Sequence, residues 1–294
     1  MVVLDNLSHG HRDAVPTDVH FIEGDVADLA RLIQPEDAID AVIHLAAFIA
    51  AGESMQKPEL YWQNNTLQTF KMLEGMRELG IRKLIFASTA AVYGNPVEVP
   101  ITEDSPKNPT NTYGMTKLAM DMAITSEAWA HDLAATSVRF FNVAGAYKDA
   151  GERHPVETHL IPLALDAAAG KRDGLSLFGT DYETKDGTCV RDYIHVADLA
   201  RAMLLALGKL ESGKHTIYNL GNGNGFTNRE VLETVKKVTG KDFLIREELR
   251  REGDPAALIA SSQRAQQGLG WVPQRPDLAD IISDAWEFYQ AILP

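Results

Sequence analysis

Up to about residue 145, short runs of apolar and β-branched residues alternate with longer stretches of helical period. A chain written this way predicts an α/β fold built on a doubly wound parallel sheet, with helices covering both faces. The runs predict strands over 2–4, 20–23, 41–45, 83–87 and 137–141. Between them, Leu67, Phe70, Leu73 and Met76 recur at threes, and Met115, Leu118, Met122 and Trp129 fit one stripe of a second helix. Such stripes predict core or subunit contacts. After Asn142 the rhythm breaks into loops rich in Gly, His and Pro, then resumes with a helix over 195–207 and a strand over 216–220. The break predicts a smaller, interleaved second domain. Thr227 and Glu230 form a Thr-x-x-Glu capping box that opens a helix to about Val238, and Pro276 fits the first turn of a terminal helix over 277–293.

Several classes of function are excluded early. With 28 Lys and Arg against 41 Asp and Glu, the net charge is −13, so no basic footprint is present for a nucleic-acid backbone. An anionic ligand must be held by a few placed Arg side chains against the global field, which favours a small molecule over a polyanion. The longest apolar stretch, 41–51, is interrupted by His44 and falls far short of the ~20 residues a membrane helix needs. No secretory signal opens the chain, and the single Cys189 excludes internal disulfides, so a cytoplasmic location is expected. His9, His11, His154, His159 and His195 make no H-E-x-x-H or Cys/His array, and no metal is expected.

A parallel sheet buries its strands on both faces, yet this chain begins inside a strand. In dinucleotide folds an acidic residue ending the second strand follows a glycine fingerprint by ~20 residues and holds the adenosine ribose. Asp5 fits that acid, which would put the fingerprint before Met1; the expectation is a native chain extending ~25 to 30 residues upstream, the length of one βα unit. The alternative is that Asp5 and Asn6 open a turn, as such residues often do.

Tyr113-Gly-Met-Thr-Lys117 puts a phenol and an ammonium four apart, on one helical face. A free Tyr has a pKa of about 10, and an adjacent cation favours its phenolate, moving a general base toward neutrality. The pair is otherwise an ordinary exposed i,i+4 contact. Thr89, in Ser88-Thr-Ala-Ala-Val-Tyr-Gly94, stands at the end of the fourth predicted strand, where ligands bind in such sheets. It either caps a turn or hydrogen-bonds a substrate hydroxyl, completing a Thr/Tyr/Lys set for moving a proton off an alcohol whose carbon also loses hydride.

These segments resemble the extended short-chain dehydrogenase/reductase family, and within it the sugar-nucleotide epimerases. The resemblance spans essentially the whole chain and is carried by Val3-Leu-Asp-Asn-Leu-Ser8, His44-Leu-Ala-Ala47, Gly52-Glu-Ser54, Asn64-Asn65, Ser88 to Gly94, Tyr113 to Lys117, Arg139-Phe-Phe-Asn142, Gly187 to His195, Tyr218-Asn-Leu-Gly221 and Arg250-Arg-Glu-Gly-Asp254. It implies a Rossmann-like NAD-binding domain over 1–142, lacking its first βα unit, with 195–220 returning to it, and a mostly UDP-sugar-binding domain over 143–294. It implies that bound NAD takes hydride from C4 of a hexose while Tyr113 takes the 4-hydroxyl proton, with Lys117 and Thr89 assisting. The resulting 4-keto sugar turns and is reduced on its other face, interconverting UDP-galactose and UDP-glucose.

By the same resemblance, Lys117 also binds the nicotinamide ribose, and Asp5, Asn6, Asp25, Val26 and Asn65 meet the adenosine half of NAD or its linkage. Thr89, Asn142, His159, Leu160, Phe178, Arg191, Arg251 and Asp254 would hold the UDP-hexose, the Arg forks suiting diphosphate oxygens and Phe178 stacking on uracil. A homodimer paired through two helices near 61–79 and 113–129 is implied. Two positions depart from the pattern: Ile49 stands where many relatives have Lys, and Leu258 occupies the position that sizes the sugar pocket, which predicts weak activity on N-acetylated sugars. A related dehydratase or decarboxylase is the alternative enzyme, but Ala90 and Ala91 follow Thr89 where dehydratases usually carry an acidic pair. A non-catalytic nucleotide-sugar binding protein is the alternative from another class.

Overall fold

The computed structural model describes residues 1–251 and 253–292. Glu252, in the Arg250–Asp254 segment, and Leu293, the predicted end of the last helix, lie outside the described residues. In chain order the strands are β1 (Val2–Asp5), β2 (His20–Glu23), β3 (Val42–His44), β4 (Lys83–Thr89), β5 (Ala134–Phe140), β6 (Asn142–Ala144), β7 (Gly174–Phe178), β8 (Val190–Arg191), β9 (Tyr193–His195), β10 (His215–Leu220), β11 (Phe226–Thr227), β12 (Leu244–Glu248) and β13 (Ala257–Leu258). The α-helices are α1 (Leu29–Leu32), α2 (Ala51–Gln56), α3 (Pro58–Tyr61), α4 (Gln68–Glu78), α5 (Thr112–His131), α6 (Leu160–Ala168), α7 (Val196–Leu207), α8 (Asn228–Thr239), α9 (Gln263–Leu269) and α10 (Leu278–Ala291).

The chain divides into two compact units: Met1–Gly94 with Lys107–Arg139 and Met203–Tyr218, and Asn95–Pro106 with Phe140–Ala202 and Asn219–Pro294. In the first, β1 and β2 pair in parallel, Val2 opposite His20 and Asp5 opposite Glu23, while a four-stranded sheet runs β10-β5-β4-β3. The β3 to β4 register sets His44 opposite Phe86. The core of this unit gathers Leu29, Met72, Leu73, Met76, Leu84, Phe86, Met120, Ile124 and Ala128. Between α3 and α4 the backbone widens into a π-helical turn, Trp62–Leu67, which buries Asn65 and Thr66.

Of the two roles expected for the helical stripes, core or subunit contact, most of their members do not take the first, since they face outward. On α5 the buried face carries Tyr113, Lys117, Met120, Ile124 and Ala128, whereas Met122 and Trp129 are 66% and 78% exposed. Polar residues interrupt the true inner face, so the apolar pattern tracks the outer one. On α4, Met72 joins Leu73 and Met76 inside, while Phe70 and, in the preceding π-helical turn, Leu67 face outward. Strand β5 also starts at Ala134, three residues before the predicted 137, because tertiary burial overrides the weak strand preference of Ala134 and Ala135.

In the second unit, β6 pairs with β9 and β7 with β12, both in parallel, and β8 lies between β11 and β13. Its core packs Ile161, Ala164 and Leu165 of α6 against Val231, Leu232 and Val235 of α8 and Leu278, Ile281 and Ile282 of α10. The Thr227–Glu230 capping box forms as the spacing predicts, Glu230 N donating to Thr227 Oγ1 at 3.0 Å and Thr227 N to Glu230 Oε2 at 2.9 Å. Pro276 is not in the first turn of α10; Asp277 is the cap, its Oδ1 accepting from Ala279 N at 2.7 Å, so proline stands before it. Among the described residues no helix is long and apolar enough to cross a membrane.

Candidate active site

Strand β4 delivers Thr89 to its C-terminal end, where Thr89 Oγ1 accepts from Ala91 N at 3.2 Å and caps a 3-10 turn, Ala90–Tyr93. The turn closes on Gly94, whose φ of +63° and whose approach to the Asn108 carbonyl leave no room for a side chain: a Cβ there would lie 1.9 Å from the oxygen. Helix α5 starts at an Asn111 cap, Oδ1 accepting from Gly114 N at 2.8 Å. Gly114 is the contact that joins these elements, since a Cβ on it would sit 2.6 Å from the Ala91 carbonyl oxygen. The glycine inside Tyr-Gly-x-x-Lys therefore lets α5 approach the turn that carries Thr89.

Tyr113 is fixed from behind by Ser54, whose Oγ accepts from Tyr113 N at 3.0 Å and donates to Ala51 O at 2.7 Å. Burial pushes the Tyr113 phenol above its ordinary value, and a hydrogen bond with Thr89 pulls the other way. The expectation that Lys117 moves this phenol toward neutrality is corrected here. Lys117 turns inward, its Nζ donating to Ala87 O at 2.8 Å over the Phe86 ring, and burial is the largest influence on Tyr113. Burial likewise draws the Lys117 amine down to about 8, with the Asp121 carboxylate opposing. His44, hydrogen-bonded to Thr69 Oγ1 at 3.1 Å, is held at about 3 by burial and then by the Lys117 charge.

Behind the site, Asp121 Oδ2 accepts from Ser88 Oγ at 3.1 Å and from Arg139 Nε and Nη2 at 3.0 and 2.7 Å. Arg139 also donates to Tyr93 Oη at 3.0 Å. The site residues singled out from the sequence do not include Asp121, although its place four residues after Lys117 was a readable signal.

Of the residues expected to hold NAD, Asp5, Asn6, Asp25 and Val26 lie at the ends of β1 and β2. Asp5 Oδ1 accepts from Leu7 N at 2.7 Å, and a Cβ on Gly10 would come within 2.8 Å of that carboxylate, so bare backbone folds over it. Asp25 caps the turn Val26–Asp28 through Ala27 N at 2.9 Å, and Asn6 Nδ2 and Gln68 Nε2 reach its Oδ2 at 3.4 and 3.5 Å. Gln68 Oε1 is buried with no partner among the described residues. Carboxylates, an uncommitted amide oxygen and a buried ammonium fit the hydroxyl and amide groups of a dinucleotide. Asn65 is committed differently: its side chain exchanges two hydrogen bonds with the backbone of Phe48, at 2.8 and 2.9 Å, and so fixes the segment leading to Ile49.

The second unit brings four of the expected UDP-binding residues into two contacts. The Arg251 guanidinium lies 3.9 Å from the centre of the Phe178 ring, and Arg191 Nη2 stands 3.5 Å from Asp254 Oδ1. Arg191 Nη1 donates to the Val190 and Pro255 carbonyls, both at 2.9 Å, leaving its fork pre-set. Asn142 Nδ2 donates to Asp192 O at 3.3 Å. His159 caps no helix side chain to backbone; it hydrogen-bonds Glu152 at the start of α6, with Leu160 as the first helical residue. Leu258, in β13, is partly buried, paired with Arg191.

Residues 1–221 match the model of the family described as NAD dependent epimerase/dehydratase. The UDP-glucose 4-epimerase of Corynebacterium glutamicum is 51% identical over 292 residues, covering 99% of this chain and 89% of its own. The crystal structure of UDP-glucose 4-epimerase from Brucella ovis in complex with NAD superposes with a TM-score of 0.93 at 42% identity, covering 98% of this chain and 90% of that one. The enzyme from Bifidobacterium longum in complex with NAD+ and UDP gives a TM-score of 0.91 at 32% identity, covering 99% and 91%.

Proposed function

The chain belongs to the NAD dependent epimerase/dehydratase family, and from that premise we propose that it interconverts UDP-galactose and UDP-glucose with Tyr113 as the proton-transferring residue. The observation that carries the assignment of roles is the closure of Gly114 on Ala91, which sets Tyr113 beside Thr89 with Lys117 one helical turn further on. Bound NAD supplies the hydride acceptor and donor at C4 of the hexose, so the reaction ends without net redox change. Tyr113 takes the 4-hydroxyl proton as that carbon is oxidised and returns it when the ketone is reduced from its other face. Thr89 holds the same hydroxyl and shares the proton. Burial favours the phenol and the Thr89 hydrogen bond favours the phenolate, which suits a group that must act in both directions.

Lys117, at about 8, is mostly cationic at neutral pH and binds the nicotinamide ribose. Asp5, Asn6, Asp25, Val26 and Asn65 hold the adenosine half or its linkage. In the other unit, Asn142, His159, Leu160, Phe178, Arg191, Arg251 and Asp254 take the UDP moiety, the Arg residues meeting the diphosphate. Uracil stacking on Phe178 requires Arg251 to leave the ring face it covers. The outward stripes of α4 and α5 pair with a second copy, and the lone, buried Cys189 suits a reducing cytoplasm.

The test is conversion of UDP-galactose by the purified chain with NAD supplied. UDP-glucose as the product supports this reading. A 4-keto-6-deoxy product would transfer the chain to the dehydratases, and UDP binding without turnover would make it a nucleotide-sugar binding protein.

A further inference from the structure

The loop before α6 contains a side-chain cluster of which the proposed epimerase reading uses only His159. Glu152 Oε1 accepts from His154 Nε2 at 3.1 Å and from His159 Nδ1, so two imidazole nitrogens and a carboxylate oxygen converge on one point. These three atoms all lie within 4.8 Å of one another. The two rings meet edge to face, their centres 5.5 Å apart at 70°, which lets both nitrogens aim inward without clashing. A second carboxylate stands on the His159 side of the cluster. Glu157 Oε1 stands 3.6 Å from His159 Nδ1, anchored by the backbone N–H groups of Thr158 and His159, both at 2.7 Å.

We infer that Glu152, His154 and His159, with Glu157 as fourth donor, form a binding site for a divalent transition-metal ion of the zinc type. Two imidazoles and two carboxylates are a donor set that suits zinc and its neighbours better than magnesium or calcium, which prefer oxygen alone. Bond lengths of about 2.0 to 2.2 Å put tetrahedral ligand atoms roughly 3.3 Å apart, so the three atoms, all within 4.8 Å of one another, reach that spacing by side-chain shifts that part His159 from Glu152. Two carboxylates against one dication leave the centre neutral. Binding replaces the hydrogens now shared between the imidazoles and Glu152: a protonated ring releases its ligand-nitrogen proton to solvent and a neutral ring carries its single proton on the other nitrogen, so both ligate as neutral imidazoles with no change in oxidation state.

The arrangement also explains why the sequence conceals it. The ligands are spaced Glu-x-His-x-x-Glu-x-His, a loop pattern that matches neither a helical H-E-x-x-H nor a cysteine array. The inference is independent of the proposed epimerisation except at His159, which both employ, so its test reads metal and not turnover.

The full chain, stripped with a chelator and dialysed, is titrated with zinc chloride and separately with magnesium chloride, with metal content and calorimetric heat as readouts. Uptake of one zinc per chain is expected, accompanied by proton release and a rise in Tm, with no comparable uptake of magnesium. Glu152→Gln and His154→Gln, which keep side-chain volume in a solvent-accessible loop, should each weaken zinc by ~10²-fold or more while circular dichroism confirms the fold. Absence of stoichiometric zinc uptake overturns the inference. So does uptake that both variants leave unchanged, which would place the ion elsewhere.

Discussion

Asp121 and Arg139 form a buried, forked ion pair, both Arg139 Nε and Nη2 donating to the one Oδ2 of the aspartate at 3.0 and 2.7 Å. Both side chains are almost fully enclosed, and Ser88 adds a third donor to the same oxygen. The pair ties α5 to the centre of the sheet directly behind Thr89 and Lys117. Asp121→Asn would leave the Arg139 cation buried without its counter-charge, and a loss of ~3 to 5 kcal/mol is expected. Urea unfolding checks it. The double variant Asp121→Leu with Arg139→Met should recover most of that loss, because the penalty belongs to the unpaired charge and not to the absence of the pair.

Tyr113→Phe removes the proton-carrying hydroxyl while keeping the ring and the backbone bond to Ser54. A fall in kcat of ~10² to 10⁴ is expected, with little change in Tm. Steady-state assay of UDP-galactose conversion decides it, and an unaltered kcat would remove Tyr113 from the mechanism.

His44 gives the fold a specific acid sensitivity. Folded, it is held at about 3, whereas the free imidazole titrates at 6.5, so on acidification the unfolded chain takes up a proton that the folded chain refuses. Stability from this group is complete above pH 6.5 and is lost as pH falls from 6.5 toward 3, by on the order of a few kcal/mol. His215, bonded to Thr125 and Ser137 and held at about 4, adds to the same trend. In His44→Asn the fall in stability with acid should be shallower, as measured by urea midpoints across that pH range.

Trp129 and Met122 are exposed apolar side chains on the outer face of α5, as are Phe70 on α4 and Leu67 at the end of the π-helical turn. The proposed pairing with a second copy would cover this apolar area. Trp129→Glu combined with Met122→Lys should convert a dimer into a monomer by light scattering while the circular dichroism spectrum is kept. A wild-type chain that already runs as a monomer would contradict the pairing.

Much of this architecture is legible in the sequence because it is local. The strand runs around Val42–His44 and Lys83–Thr89, the capping box at Thr227 and the Thr89, Tyr113, Lys117 grouping all depend on residues close in the chain or on a motif of fixed spacing. What stays hidden depends on partners far along it. The inner face of α5 is disguised by Lys117 and Thr116, whose burial makes sense only once Ala87 and Asn65 are beside them. The raised phenol of Tyr113 follows from enclosure, which no local spacing reports. The Glu152, His154, His159 cluster is hidden for another reason: a loop, unlike a helix or strand, imposes no period by which convergent side chains can be foreseen.

The π-helical turn at Trp62–Leu67 has a consequence for how the gene can vary. Such a turn holds one residue more than the α-helices that flank it. Removing one amino acid there would restore the ordinary winding and rotate every residue on one side by ~100° relative to the other. Asn65 would then swing away from Phe48, or α4 would turn Met72 and Met76 out of the core. Substitutions in this turn alter one contact each, whereas a single-codon deletion shifts a whole helix. The segment is therefore constrained in length more tightly than in composition.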